Sequence, residues 1–205
     1  MNYLAHAYLS FGLPEITVGG LISDFVKGKK KFDYPDKIQQ GISLHRAIDT
    51  FTDTHAITQK AKSFFREAYG LYSGPITDVI YDYFVANDPL LWPAGERQLN
   101  DFALKTYDRV GGLQSWLPDR FARMFHYMHT QNWLYNYRFK EGLFNSLSGL
   151  SRRASYMGDA GPACRIFEEQ YSGLQNCYEA FFPELKDFAL RTLEHLQDNG
   201  SGKIE

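Results

Sequence analysis

His45, Asp49 and Asp53 recur at four-residue intervals between Gly41 and His55. A helix would carry them on one stripe, with Leu44, Ile48 and Phe51 on the opposite side. Imidazole and carboxylate together suit a divalent cation that activates water. A soft thiolate site is excluded, because neither Cys164 nor Cys177 lies nearby. The same stripe could simply face solvent, so its meaning depends on what accompanies it. His55 turns toward Ile48 and Phe51 and is not counted as a ligand.

Other groups of the right type precede and follow the stripe. His6 flanks the apolar set Tyr3, Leu4, Ala7 and Tyr8, where it could be a ligand or a packed side chain. Asp24 is the single acid among Ile22, Phe25 and Val26. A carboxylate there must point outward or find a cation, since unpaired burial is costly. Asp78 and Asp82 stand one turn apart and repel each other unless a cation, a proton or exposure to water intervenes. All of these fall within the first 82 residues on separate short helices. Facing helices are a recurrent way for an all-α protein to build a metal site.

Basic and aromatic groups could serve a substrate. Lys27, Lys29, Lys30 and Lys31 form a solvated loop or a docking patch for an acidic partner or a phosphate. Arg46, next to His45, could hold phosphate or pair with a ligand carboxylate. Arg152 and Arg153 offer planar donors for phosphate, or ion pairs between helices. Tyr127, Trp133, Tyr135, Tyr137, Phe139 and Phe144 could line a pocket for a slender ligand or belong to the core.

The elements that must position these groups all read as helical. Residues 3–10 form a first helix, and 19–28 a second one, opened by a tight glycine turn at Gly19-Gly20 and closed by Gly28. Pro35 and Asp36 begin the helix that carries the stripe to about Thr54. Residues 56–69 follow and stop at Gly70, then 76–86 after a Ser73-Gly74-Pro75 turn. Four more helices are expected at 96–110, 118–129, 133–147 and 162–195, the last broken at Pro183. Residues 1–198 make one all-α domain, and 199–205 a frayed polar tail.

Composition narrows the partners. A net charge of -2 exerts no global pull toward nucleic acid or an anionic membrane. No apolar run approaches the ~18 residues of a membrane span, and the start lacks a basic segment followed by an apolar one. Two widely spaced cysteines read as buried thiols, which suits a reducing, cytoplasmic location.

Four segments together resemble a known family. Asn2 to His6, Gly20 to Gly28, Gly41 to Asp53 and Asp78 to Phe84 are similar, in order and spacing, to the bacterial acyl-carrier-protein phosphodiesterases. A fainter likeness continues through Trp133-Leu134, Tyr137-Arg138 and Ser151-Arg152-Arg153. The resemblance implies an HD-like helical bundle, related to HD-type metal phosphohydrolases that use manganese or another divalent ion such as magnesium, iron or cobalt. It implies hydrolysis of the phosphodiester between 4′-phosphopantetheine and a serine of holo-acyl carrier protein. The position of Tyr83 is commonly histidine in that family.

On this reading His6, Asp24, His45, Asp49 and Asp82 hold the metal, and Asp53 and Asp78 are further ligands or accept hydrogen bonds from ligands. Asp24, His45 and Asp49 carry the catalysis, and Lys27, Lys29, Lys30, Lys31 and Arg46 meet the phosphate or the acidic carrier. Two other readings stay open: a phosphohydrolase of a nucleotide or another small phosphoester, and a helical binding module without catalysis.

Overall fold

The computed structural model describes residues 1–154 and 156–201, the last three by backbone alone. The chain is all-α. Its helices are α1 (Tyr3–Tyr8), α2 (Pro14–Ile22), α3 (Asp36–Thr54), α4 (Ala56–Tyr69), α5 (Ser73–Asn87), α6 (Glu96–Gly111), α7 (Asp119–Thr130), α8 (Trp133–Asn136), α9 (Lys140–Arg153), α10 (Gly161–Glu169) and α11 (Tyr171–Ser201), and no strand occurs among the described residues. None of these helices is long and apolar enough to cross a membrane. The expected frayed tail lies outside the described residues from 202 onward, and α11 itself extends to Ser201.

α3 runs from Asp36 to Thr54, as its flanking residues predict, and buries Ile38, Ile42, Leu44 and Ile48. His55 then serves the next helix: its Nδ1 accepts the Ile57 amide of α4 at 3.3 Å. Gly70 ends α4 with a φ of 53°, a conformation that costs glycine little.

The Gly19-Gly20 pair makes no turn. Both residues lie inside α2, which begins at Pro14. A Cβ on Gly19 would sit 2.2 Å from the Ile38 carbonyl, and one on Gly41 would sit 2.4 Å from that of Ile16. α2 and α3 therefore cross backbone against backbone, and the glycines are there to permit contact. Asp24, in the 3-10 turn Ser23–Phe25 that follows α2, is thereby brought beside α3.

α5 differs from its expected half-and-half pattern. Ile76, Ile80, Tyr81, Asp82 and Val85 are all fully buried, so the helix runs through the core. Ser73, Gly74 and Pro75 form its first turn instead of a separate loop. α1 packs on one side of α5. α11 packs on another, where Phe181 stacks on Tyr81 at 5.5 Å and Phe188 on Phe51 of α3 at 4.4 Å.

Two other boundaries move. The helix expected over 133–147 is split into α8 and α9 by the extended backbone of Phe139, and the turn brings α9 so close to α8 that a Cβ on Gly142 would lie 2.0 Å from the Asn136 carbonyl. The break expected at Pro183 falls instead at Gln170, and α11 continues through the proline. Burial of Phe181, Phe182 and Leu185 around it outweighs the lost backbone hydrogen bond. Cys164 is half-buried, Cys177 is buried, and both are free thiols.

Candidate metal centre

α1 and α3 deliver three side chains to one point. The ligand atoms of His6, His45 and Asp49 all lie within 4.8 Å of one another. His6 Nε2 is 3.1 Å from Asp49 Oδ1, and His45 Nε2 is 2.9 Å from Oδ2 of the same carboxylate. The two imidazoles stack with centroids 3.9 Å apart and planes 19° from parallel. Asp24 reaches the group from the turn after α2, its Oδ1 3.4 Å from His45 Nε2, with the side chain 72% exposed.

His6 is placed by a contact far away in sequence. Asp82, fully buried on α5, accepts the amides of Leu4 at 2.7 Å, Ala5 at 3.2 Å and Asn2 at 3.3 Å. Those amides open α1 and have no partner within a helix of six residues. A carboxylate there also complements the positive end of the helix. His45 and Asp49 need no such help, being one turn apart on the long helix α3.

Carboxylates dominate the electrostatics around the two imidazoles. Burial depresses the pKa of His6 to about 4, helped by the neighbouring His45 and only partly opposed by Asp49, so its imidazole is neutral. Burial also lowers that of His45, but the adjacent Asp24 and Asp49 carboxylates outweigh it and raise the value to about 9. Asp49 is held below the usual carboxylate range: burial works against this, and the two histidines prevail. Asp24 is also lowered, chiefly by the adjacent His45 imidazole.

The donor set fits a divalent ion. Despite its close carboxylates, His45 Nε2 has no hydrogen bond of proper geometry, and it is buried. A buried nitrogen pointed at carboxylate oxygens without a hydrogen bond is the arrangement a cation completes. Two imidazole nitrogens and a carboxylate suit the borderline divalent metals.

A cleft of about 510 Å³ opens over this point, with Asp24, Asp49 and Asp78 as its acidic lining and Lys27, Arg120 and Arg153 as its basic lining. The Met1 amino group lies 2.9 Å from Asp78 and 3.4 Å from Asp49. Burial raises the Asp78 pKa, partly opposed by that amino group.

The remaining expected site residues have other places. Asp82 lies outside the trio, and both its oxygens accept backbone amides at the start of α1, the geometry of a helix cap. Asp53 points to Lys62 at 2.7 Å. Arg46 donates to the Val26 carbonyl at 2.7 Å, which ties the Asp24 turn to α3. Of the lysines, Lys27 lines the cleft, Lys29 and Lys30 are exposed, and Lys31 donates to Ser43 at 3.2 Å. Arg120 was not anticipated, because α7 reaches the cleft only through the tertiary fold and its sequence carries no motif.

Residues 1–185 match the family model described as acyl carrier protein phosphodiesterase. The chain belongs to that family. Relatives bearing the same name include a Yersinia pestis protein, 28% identical over 96% of this chain and 100% of its own. A Klebsiella pneumoniae protein is 27% identical over 92% of this chain and 97% of its own. One from Photorhabdus laumondii is 26% identical, with 92% and 95% covered. No solved structure matches the chain.

Within this acyl carrier protein phosphodiesterase fold, Tyr83 packs edge-on against Phe167 at 5.2 Å and near Tyr171 at 6.2 Å. It belongs to the core, against α10 and α11.

Proposed function

We propose that this chain hydrolyses the phosphodiester joining 4′-phosphopantetheine to a serine of holo-acyl carrier protein, releasing the apo protein and the free arm, with a divalent cation held by His6, His45 and Asp49. The observation that carries the reading is the convergence of that trio beneath a cleft with acidic and basic linings, in a chain of this family. Kinship with HD-type phosphohydrolases belongs to the same proposal: separate helices bring a histidine and a His-Asp pair to one point.

When bound, the cation, manganese by preference, would lower the pKa of a water and neutralise charge on the phosphoryl oxygens. The chain supplies the rest. Asp24, ionised and facing solvent beside His45, takes the proton of the attacking water. Lys27, Arg120 and Arg153 face the phosphate's negative charge. Attack at phosphorus breaks the bond to the serine oxygen, which takes up a proton to become the hydroxyl, while the arm departs as a phosphomonoester. Lys29 and Lys30, exposed beside the cleft residue Lys27, meet the acidic carrier.

The test is mass spectrometry of holo-acyl carrier protein incubated with the enzyme and manganese, with Asp24→Ala as control. Loss of the arm with the wild type and its retention with the variant is the expected result. An unchanged carrier mass with the wild type overturns the reading.

A further inference from the structure

A second cavity, of about 290 Å³, lies beside the acidic cleft and is bounded by α8, α9 and the start of α1. It shares Asn2, Tyr3 and Arg153 with the cleft, so the two adjoin, with an arginine at the junction. Its volume is near the lower end for small-ligand sites, which are typically about 300–1,000 Å³.

α9 makes one wall. Gly142, Ser146 and Gly149 share a face of that helix and contribute little bulk, and a Cβ on Gly149 would already lie 3.4 Å from Arg153 Nη1. Trp133 and Tyr137 supply aromatic surface opposite. The buried Tyr137 hydroxyl accepts from Asn2 Nδ2 at 2.9 Å, which pins α8 to the start of α1. Asn145 and Gln131 add amide groups, and the lining has no carboxylate. The interior is slender, amide-bearing and partly aromatic, with positive charge where it meets the cleft.

Those features select a ligand class. A bare hydrocarbon chain would leave the amide groups unpaired, and a free cation would meet arginines. A flexible chain of secondary amides separated by short hydrocarbon links, ending in a phosphate, matches the amides, the aromatic faces and the arginine in order. We propose that this cavity seats the pantetheine arm of the substrate, with Arg153 on its phosphate at the junction. The proposal rests on the function given above and adds to it the direction in which the arm lies: from the cleft toward α9, away from Lys27, which lines the cleft but not this cavity.

The experiment titrates the metal-free full-length protein with pantetheine and with 4′-phosphopantetheine, following the Trp133 indole N–H by NMR. Both ligands should shift that resonance, the phosphorylated one with at least tenfold higher affinity. Arg153→Ala should erase that tenfold difference, and Gly149→Leu should abolish binding of both. Asn145→Phe, at an exposed position on the cavity wall, gives a second obstruction that does not burden the core. An unmoved Trp133 resonance, or wild-type affinity in folded Gly149→Leu and Asn145→Phe, overturns the inference. Arm release from holo-acyl carrier protein without cavity binding sinks this assignment and leaves the function standing. Cavity binding with an untouched carrier supports the assignment and sinks the function.

Discussion

The Asp82 carboxylate accepts the Leu4 amide at 2.7 Å across a fully buried contact between α5 and α1. Through it, a residue 78 positions beyond Leu4 sets where His6 points. Asp82→Ala would leave the amides of Asn2, Leu4 and Ala5 without their acceptor. The expected cost is about 3 kcal/mol of stability, since each orphaned buried donor loses roughly 1–3 kcal/mol. Urea unfolding checks it, and a loss below about 0.5 kcal/mol, the level of an ordinary surface change, would show that the contact does not anchor α1.

Burial raises the Asp82 pKa from the ordinary 3.8 to about 7, against the pull of its backbone donors and the Met1 amino group. A group whose pKa is higher folded than unfolded favours folding fully below the unfolded value and loses that contribution as pH rises through the folded one. Wild-type stability should therefore fall relative to Asp82→Asn as pH rises from about 4 to 7. Urea midpoints of both proteins at several pH values give the difference. A gap constant across that window would mean that Asp82 titrates alike in the folded and unfolded chains.

Gly19 and Gly41 meet where α2 crosses α3, with no room for a Cβ on either. Gly41→Ala should force the helices apart, pulling the Asp24 turn from His45 and costing roughly 3 kcal/mol, at the upper end for overpacked cores. Gly28→Ala, where an added Cβ meets nothing within 4 Å, is the comparison; it carries only the strain of a φ of 57°. Denaturant midpoints decide. Equal losses at the two positions would argue against a tight crossing.

Local signals made the helix over Asp36–Thr54 legible. Pro35 starts it, the apolar positions repeat at helical period, and the i, i+4 spacing puts His45 and Asp49 on one face. What could not be read there is which acids turn inward. Asp78, Asp82 and Asp53 look alike in sequence, yet the first lines the cleft, the second caps α1 and the third pairs with Lys62. Those differences arise from contacts between distant helices. The same holds for Gly19-Gly20: a glycine pair signals a turn locally, and only the facing Gly41 reveals a crossing. Pro183 broke no helix because the aromatic side chains beside it are buried on neighbouring elements.

Chelation and replacement of the trio should act alike. With manganese at about 100 times its Kd, the wild type should gain about 2.7 kcal/mol, which for a chain of this size raises Tm by roughly 5–10 °C. His45→Ala and Asp49→Asn should show no gain and should retain no metal by elemental analysis. Bound metal and an undiminished Tm rise in either variant would remove the trio as the metal centre.

Lys29 and Lys30 are exposed in the 3-10 stretch Gly28–Asp33, next to Lys27 in the cleft. If they meet the acidic carrier, their contribution is long-range and screened by salt, with a Debye length of about 10 Å at 0.1 M and about 3 Å at 1 M. Lys29→Glu with Lys30→Glu should raise KM for holo-acyl carrier protein by roughly tenfold at low ionic strength, a penalty of about 1.4 kcal/mol. The gap should close near 1 M salt. Steady-state assays across a salt series, with a small phosphodiester lacking the carrier protein in parallel, measure both effects. A penalty independent of salt, or equally large on the small substrate, would place these lysines outside the docking surface and assign their effect to the fold around Asp24.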